Sequence, residues 1–218
     1  RARQAIAGGK RFIFLYNAGM DALLHEKVGD PEAIRNKLKF YSDAAATLAQ
    51  SARAAGRELH LTVISDHGMT PLCGTEDIIH RIEALSLRFG TDYAACYDST
   101  MARFWFLREG VRDQVLPALE GCHGHWVSEA DQHRYGIDFP DHKCGDAIFL
   151  LDPGWQICPS DMGVKPMAGM HGYAPEDIDS AAAFLSNVPL EEGLPMCRVA
   201  GYFGVMCRRI EALREAGA

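Results

Sequence analysis

The sequence lacks three features that would place it in a common class at once: a long apolar run, an excess of basic residues and paired cysteines. No apolar run approaches the roughly 18 residues that a transmembrane helix needs. Its 22 Lys and Arg residues are outnumbered by 29 Asp and Glu residues, which gives a net charge of −7. Because a nucleic-acid binder needs a basic surface, we expect no nucleic-acid polymer as a partner. Because no apolar run is long enough to span a bilayer, we expect no membrane as a partner either.

The seven cysteines are scattered, and none of them forms a Cys-x-x-Cys pair. This spacing argues against a zinc ribbon or a thioredoxin-type redox motif. Scattered cysteines in an ordinary globular composition, with 48% hydrophobic residues, are typical of reduced thiols. The N-terminal stretch has a basic start but lacks the small-residue cleavage site of a secretory signal peptide. These features predict a cytoplasmic location.

The 218 residues suffice for one large domain, or for a core with a small insert. Segments 11–16 (RFIFLY) and 59–65 (LHLTVIS) have the composition of buried strands. Between them, residues 31–55 carry apolar positions at helical spacing, with Pro31 suited to the first turn and Gly56 to the C-terminal cap. This strand–helix–strand order predicts an α/β fold with a mostly parallel central sheet flanked by helices.

The middle third has a different pattern. Residues 92–97 and 102–107 predict two strands, followed by a helix near 110–120 and a stretch rich in His and Gly. The pattern of buried strands resumes at 146–151. The predicted division assigns residues 1–91 and 144–218 to the α/β core and residues 92–143 to a small α+β insert.

Side chains that can bind a metal follow the predicted strands. Asp21 and His25 come after the first strand, and their spacing puts both side chains on one side of a helical turn. Asp66 and His67 end the second strand, where Gly68 allows the chain to turn so that both can face one ion. Ligands of open α/β sheets bind outside the carboxyl ends of the strands. The alternative for this pair is an ordinary turn, since Asp and Gly are good turn residues.

A Pro/Gly-rich loop of almost thirty residues contributes His171, and loops this long are commonly functional or disordered. Together, carboxylate and imidazole ligands suit zinc, and also manganese or iron. Taken alone, such a histidine is more often a loop histidine that donates to a backbone carbonyl. Asp177 and Asp179 either orient its ring or are plain loop acids.

Other polar residues leave two interpretations open. Arg103 or Thr100 either packs within an insert strand or faces the cleft and meets a substrate phosphate, which Arg can bind through two hydrogen bonds. His123 and His125 lie two residues apart on one face of a strand. No acidic partner is apparent for them, so we interpret both as surface histidines.

Three ordered motifs, YNAGMDALLH, SDHGM and GMHGYAPED, resemble those of the alkaline phosphatase superfamily, in particular its type I phosphodiesterase/nucleotide pyrophosphatase branch. The resemblance implies an alkaline-phosphatase-like fold. It also implies hydrolysis of phosphodiester or pyrophosphate bonds by two zinc ions and a threonine or serine nucleophile. By motif, Asp21, His25 and His171 would hold one zinc, and Asp66 and His67 would belong to the second.

The resemblance spans about residues 11–185, and one part of the family pattern cannot be matched within them. The catalytic nucleophile and a further aspartate for the second zinc are expected ahead of residue 1. We therefore expect the chain to be the C-terminal part of a longer enzyme that acts on nucleotide-like or other small phosphoesters, and to be inactive alone. An exposed strand edge in such a chain would favour a homodimer or aggregation.

Two other functions are consistent with the same motifs. One is a catalytically silent metal-binding fragment. The other is a phosphomonoesterase or phosphonate hydrolase of the same superfamily.

Overall fold

A computed structural model of the protein describes residues 1–189 and 198–215. Within them, the helices in chain order are Ala2–Ala7 (α1), Gly19–Lys27 (α2), Pro31–Ala54 (α3), Ile78–Glu83 (α4), Arg112–Ala118 (α5), Glu129–Tyr135 (α6) and Val199–Glu215 (α7). The strands are Thr62–Ile64 (β1), Thr70–Pro71 (β2), Gly74–Glu76 (β3), Tyr93–Tyr97 (β4), Met101–Phe106 (β5), Gly124–Trp126 (β6), Ala147–Leu151 (β7), Trp155–Ile157 (β8), Gly169–Met170 (β9) and Phe184–Ser186 (β10). None of these helices is long and apolar enough to cross a membrane.

The described chain divides into two compact units. One comprises residues 1–23, 30–68 and the described residues from 182 onward, and the other comprises residues 24–29 and 69–181. The boundary between residues 23 and 24 falls within α2. None of the six cysteines in the described ranges forms a disulfide, and Cys197 lies outside those ranges.

The second unit is built on a four-stranded antiparallel sheet with the order β4-β5-β7-β6. Only three residues connect β4 to β5, and so short a connection enforces antiparallel pairing. Phe104 of β5 and Phe149 of β7 are fully buried in its core, where each ring lies within 6 Å of the Trp126 ring. Ile78 and Ile82 of α4, Val115 of α5 and Val111, which directly precedes α5, complete this core and are fully buried. Burial of each large apolar side chain stabilises the fold by about 1.5–3 kcal/mol.

Shorter pairings in the same unit arrange the loops around this sheet. β3 pairs with β8 in parallel, and β2 pairs with β9 in an antiparallel manner.

The predicted strands at 92–97, 102–107 and 146–151 are confirmed as β4, β5 and β7, with slightly shifted ends. β7 lies between β5 and β6, so the predicted boundary at residues 143 and 144 passes through this sheet.

The first unit is dominated by the long helix α3, which confirms the prediction for residues 31–55. Asp30 caps its N-terminus, because the side chain accepts hydrogen bonds from the backbone N–H groups of Glu32 and Ala33. At the other end, Gly56 has a φ of +65° and Arg57 N–H donates to the Ala52 carbonyl. With the bond from Gly56 N–H to the Arg53 carbonyl, this forms a Schellman motif, which satisfies the last carbonyls of the helix.

The predicted strand at residues 11–16 is wrong. The segment is irregular, and its side chains Phe12, Phe14, Leu15 and Tyr16 are exposed. A strand needs a hydrogen-bonded neighbour, and no segment in the described ranges pairs with these residues. Without a strand at residues 11–16, the predicted parallel pairing with the strand at residues 59–65 cannot form.

The chain has an α/β fold, but its strands are not mostly parallel. Among the strand pairings in residues 1–189 and 198–215, only β3–β8 is parallel. The predicted strand at 59–65 is shorter than expected, and as β1 it pairs with β10 in an antiparallel manner. The described strands also form several small sheets rather than one central sheet.

Candidate metal centre

The helix α2 carries the first two predicted ligands, Asp21 and His25. The side chain of Asn17 accepts a hydrogen bond from Gly19 N–H at 2.8 Å, which satisfies a backbone donor where the helix begins. Asp21 lies in the first turn of α2 and His25 in the last turn. A spacing of four residues puts both half-buried side chains on the same face of the helix, as the sequence predicted.

His25 is held in a defined orientation by a segment that lies far from it in sequence. Its Nδ1 lies 2.9 Å from the carbonyl oxygen of Gly169, and its own carbonyl accepts a hydrogen bond from Ala168 N–H at 2.8 Å. A carbonyl only accepts, so Nδ1 carries the proton in the neutral ring and Nε2 carries the lone pair. This is the tautomer that a metal-binding histidine adopts when its other nitrogen donates to the backbone.

Gly169 is a position where a side chain would not fit. A Cβ placed there would lie 2.9 Å from the carbonyl oxygen of Leu24 and 3.0 Å from the side chain of Val28. Leu24 and Val28 belong to the short segment of chain that carries His25. The absence of a side chain therefore allows the close approach that brings the Gly169 carbonyl to the imidazole.

His171 follows β9 and completes a group of three. Its ring centroid lies 5.2 Å from that of His25, at an interplanar angle of 48°. The ligand atoms of Asp21, His25 and His171 all lie within 4.8 Å of one another, and all three residues are half-buried. One carboxylate and two imidazoles are the donor set and the ligand number of a catalytic zinc site, so these residues fit a divalent metal ion.

Asp66 and His67 follow β1 in a bend. His67 Nδ1 lies 2.8 Å from the Gly68 carbonyl oxygen, which again leaves the lone pair on Nε2. That Nε2 lies 3.5 Å from Asp66 Oδ1, close to the roughly 3.3 Å that separates two ligands of a tetrahedral zinc ion. Among the described residues, no third His, Cys, Asp or Glu joins them in a group that could hold an ion.

The loop acid Asp177 accepts a hydrogen bond from Thr70 Oγ1 at 2.8 Å and another from Ser180 Oγ at 3.3 Å. These bonds join the loop to β2. A role for Asp177 or Asp179 in orienting the His171 ring stays a prediction.

Arg103 and Thr100 lie at the beginning of β5 or just before it. Arg103 Nη2 donates to Cys96 Sγ at 3.2 Å, across the strand pair β4–β5. Thr100 Oγ1 donates to the Gly172 carbonyl at 2.9 Å, beside the predicted ligand His171. Contact of Arg103 with a substrate phosphate stays a prediction.

His123 and His125 are surface histidines as predicted, but each has an acidic neighbour that the sequence did not indicate. Glu76 Oε1 accepts hydrogen bonds from both Nδ1 and the backbone N–H of His123, and Asp152 lies 3.7 Å from His125. Burial alone would raise the pKa of Glu76, but the two bonds from His123 and the charge of Arg81 outweigh it and lower that pKa. Glu76 is 47 residues from His123 in sequence, and no local pattern indicates the pair.

Comparison with known proteins identifies the family. Residues 2–174 match the family model for type I phosphodiesterase / nucleotide pyrophosphatase. The chain belongs to this family. No curated protein sequence is significantly similar to it. Family membership confirms the resemblance to the alkaline phosphatase superfamily that the three motifs indicated.

Solved structures of family and superfamily members share its fold. Mouse ectonucleotide pyrophosphatase / phosphodiesterase 5 is 22% identical with a TM-score of 0.69, over 86% of this chain and 51% of that chain. An inactive variant of the mouse protein in complex with AMP is 21% identical with a TM-score of 0.67, over 85% and 52%. Phosphonoacetate hydrolase from Sinorhizobium meliloti 1021, in complex with phosphonoacetate, is 16% identical with a TM-score of 0.57, over 85% and 49%. The chain thus has the predicted alkaline-phosphatase-like fold and spans about half the length of these structures.

Proposed function

We propose that the full-length protein containing this chain hydrolyses phosphodiester or pyrophosphate bonds in small, nucleotide-like substrates. The observation that carries the proposal is the convergence of Asp21, His25 and His171, whose ligand atoms lie within 4.8 Å of one another. Membership of the phosphodiesterase family supports this reaction class. The complex of the mouse protein with AMP supports a nucleotide-like substrate.

Two of the three ligand residues contribute distinct properties to the centre. Asp21 supplies a negative charge that offsets part of the charge of a divalent cation. His25 presents Nε2, because its Nδ1 proton is donated to the Gly169 carbonyl. When bound, a zinc ion held by Asp21, His25 and His171 would supply a Lewis acid for a phosphoryl oxygen. Asp66 and His67 are proposed as two ligands of a second ion, and manganese or iron are the alternatives to zinc.

Four further expectations stay predictions beside this proposal. They are a nucleophile ahead of residue 1, inactivity of the chain alone, a homodimer and a cytoplasmic location. Light scattering of the purified chain tests the homodimer, since a monodisperse monomer would contradict it.

Metal analysis combined with hydrolysis of bis-p-nitrophenyl phosphate by the full-length protein tests the proposed function. Asp21→Ala and His171→Ala should each lose bound metal and activity together, because each removes one of three ligands. His133→Ala is a matched control, since it removes a histidine that lies beside a carboxylate, that of Asp138, but is highly exposed and outside the group. Unchanged metal content in both ligand variants would contradict the proposal.

A phosphonate hydrolase is the second candidate, and the likeness to phosphonoacetate hydrolase favours it. Rates on a phosphodiester, a phosphomonoester and phosphonoacetate, measured at equal protein and metal concentration, separate the candidates. A catalytically silent metal-binding protein would bind the metal and turn over none of the three.

A further inference from the structure

His171 lies on a short segment that few backbone contacts fix. The two residues before it form β9, whose strand pairing within the described ranges is limited to the two residues of β2. The residue after it, Gly172, has a φ of +96° and turns the chain away from the strand. The position of the imidazole therefore depends on how firmly Gly172 is held as well as on the β2–β9 pairing.

Thr100 holds Gly172 from the side of the four-stranded sheet. Its Oγ1 donates a hydrogen bond to the Gly172 carbonyl at 2.9 Å, and Thr100 is only 3% exposed, so water does not compete for this bond. The backbone carbonyl of Thr100 accepts a hydrogen bond from Leu151 N–H of β7, also at 2.9 Å. The hydroxyl is therefore anchored to the core, which makes it a fixed point for the loop.

The two segments are also in steric contact at this point. A Cβ added to Gly172 would lie 2.7 Å from Thr100 Oγ1. Gly172 thus meets two requirements at once, a left-handed backbone conformation and room for the Thr100 hydroxyl. Because the single hydroxyl proton of Thr100 is donated to the loop, a positioning role fits the geometry better than donation to a substrate phosphate.

We propose that Thr100 is a positioning residue for the metal centre, which acts by fixing Gly172 and hence the imidazole of His171. This proposal rests on the proposed function, because it requires a metal ion at Asp21, His25 and His171. Thr100 does not touch the ion. It lowers the freedom of one ligand, in the way that hydrogen-bond partners behind metal ligands raise metal affinity.

The test compares Thr100→Val, which keeps the shape and removes the hydroxyl, with Thr100→Ser, which keeps the hydroxyl. Zinc affinity is measured by competition with a chelator, and ligand geometry by the absorption spectrum of the cobalt(II)-loaded protein. We expect Thr100→Val to weaken zinc binding about tenfold and to alter the cobalt spectrum. Thr100→Ser should restore both properties. Val115→Ala, a fully buried core position in the same unit, controls for general destabilisation.

Each outcome supports or overturns the positioning role. Wild-type affinity and spectrum in Thr100→Val overturn it, and so does an equal loss in Thr100→Ser or in Val115→Ala. His171→Ala separates the two possible failures. If His171→Ala leaves zinc binding unchanged, the proposed metal centre is wrong. If it weakens binding while Thr100→Val does not, only the role of Thr100 is wrong.

Discussion

Two regions of the molecule are stabilised in different ways. The sheet region, residues 69–181, buries most of the large apolar side chains in the described chain, among them Phe104 and Phe149. The α3 region, residues 30–68, contributes a single buried apolar side chain from α3, Ala52. Its order comes from the helix caps at Asp30 and Gly56 and from backbone hydrogen bonds.

This difference extends to the two groups of predicted metal ligands. In the sheet region, a buried hydroxyl binds Gly172 directly after His171, β9 directly before it pairs with β2, and the Gly169 carbonyl contacts His25 across 144 residues of sequence. In the α3 region, His67 is oriented by the carbonyl of its own neighbour Gly68, and the Asp66 side chain is 79% exposed. The first group is thus oriented through contacts with residues far away in sequence, and the second shows a contact with its sequence neighbour.

The largest expected effect is in the core of the sheet region. Phe104→Ala removes a fully buried ring that packs against Tyr97 and Trp126, and should lower the free energy of unfolding by about 3–5 kcal/mol. Urea denaturation followed by circular dichroism measures it. Phe14→Ala is the matched control outside the sheet region, because this ring is 67% exposed, and should change stability little. Comparable losses of stability in Phe104→Ala and Phe14→Ala would contradict the view that the buried core of the sheet region carries more of the stability.

The sequence predicts what depends on local pattern. Helix α3, strands β4 and β5 and the helical spacing of Asp21 and His25 follow from periodicity, caps and short connections. Residues 11–16 show the limit, because an apolar run indicates burial but not whether a neighbouring strand is present to pair with it. The contacts Glu76–His123, Gly169–His25 and Thr100–Gly172 join residues far apart in the chain, so only the folded structure reveals them.

Two Glu–His pairs, a buried one in the sheet region and an exposed one in the α3 region, test whether burial makes such a pair stabilising. Glu76 is buried and its pKa is lowered in the fold, so its carboxylate stabilises the protein above the ordinary pKa of 4.5, and this contribution is lost as the pH falls through and below that value. Glu76→Gln should cost about 1.5 kcal/mol at pH 7, and the difference from wild type should shrink in acid.

The control for this variant is Glu58→Gln. Glu58 lies 3.3 Å from His60, but its side chain is 82% exposed, so its removal should leave the stability curve close to that of the wild type. Denaturation at several pH values between 3 and 7 measures both variants. A pH dependence that Glu76→Gln does not alter would show that burial adds nothing to this pair.

A smaller effect is expected at the cap of the α3 region. Asp30→Ala removes the side-chain acceptor for Glu32 N–H and Ala33 N–H, and should cost about 1 kcal/mol. Asp30→Asn keeps an acceptor and should retain most of the stability. Amide hydrogen exchange in the first turn of α3 localises the change. If Asp30→Ala has no effect on exchange there, local caps are not what orders this region.

The smallest effect is expected for His67→Ala. The Asp66–His67 pair offers two ligands where a stable zinc site uses three or four, so in the 218-residue chain it should add little to the bound zinc. We expect an unchanged zinc stoichiometry and an affinity within about threefold of the wild type, below the effect of even an outer partner of a metal ligand. Chelator competition measures both quantities, with His171→Ala as the positive control. A loss of zinc as large as that in His171→Ala would contradict this expectation. It would mean that the turn at Asp66 and His67 holds zinc as well as the group that includes His171.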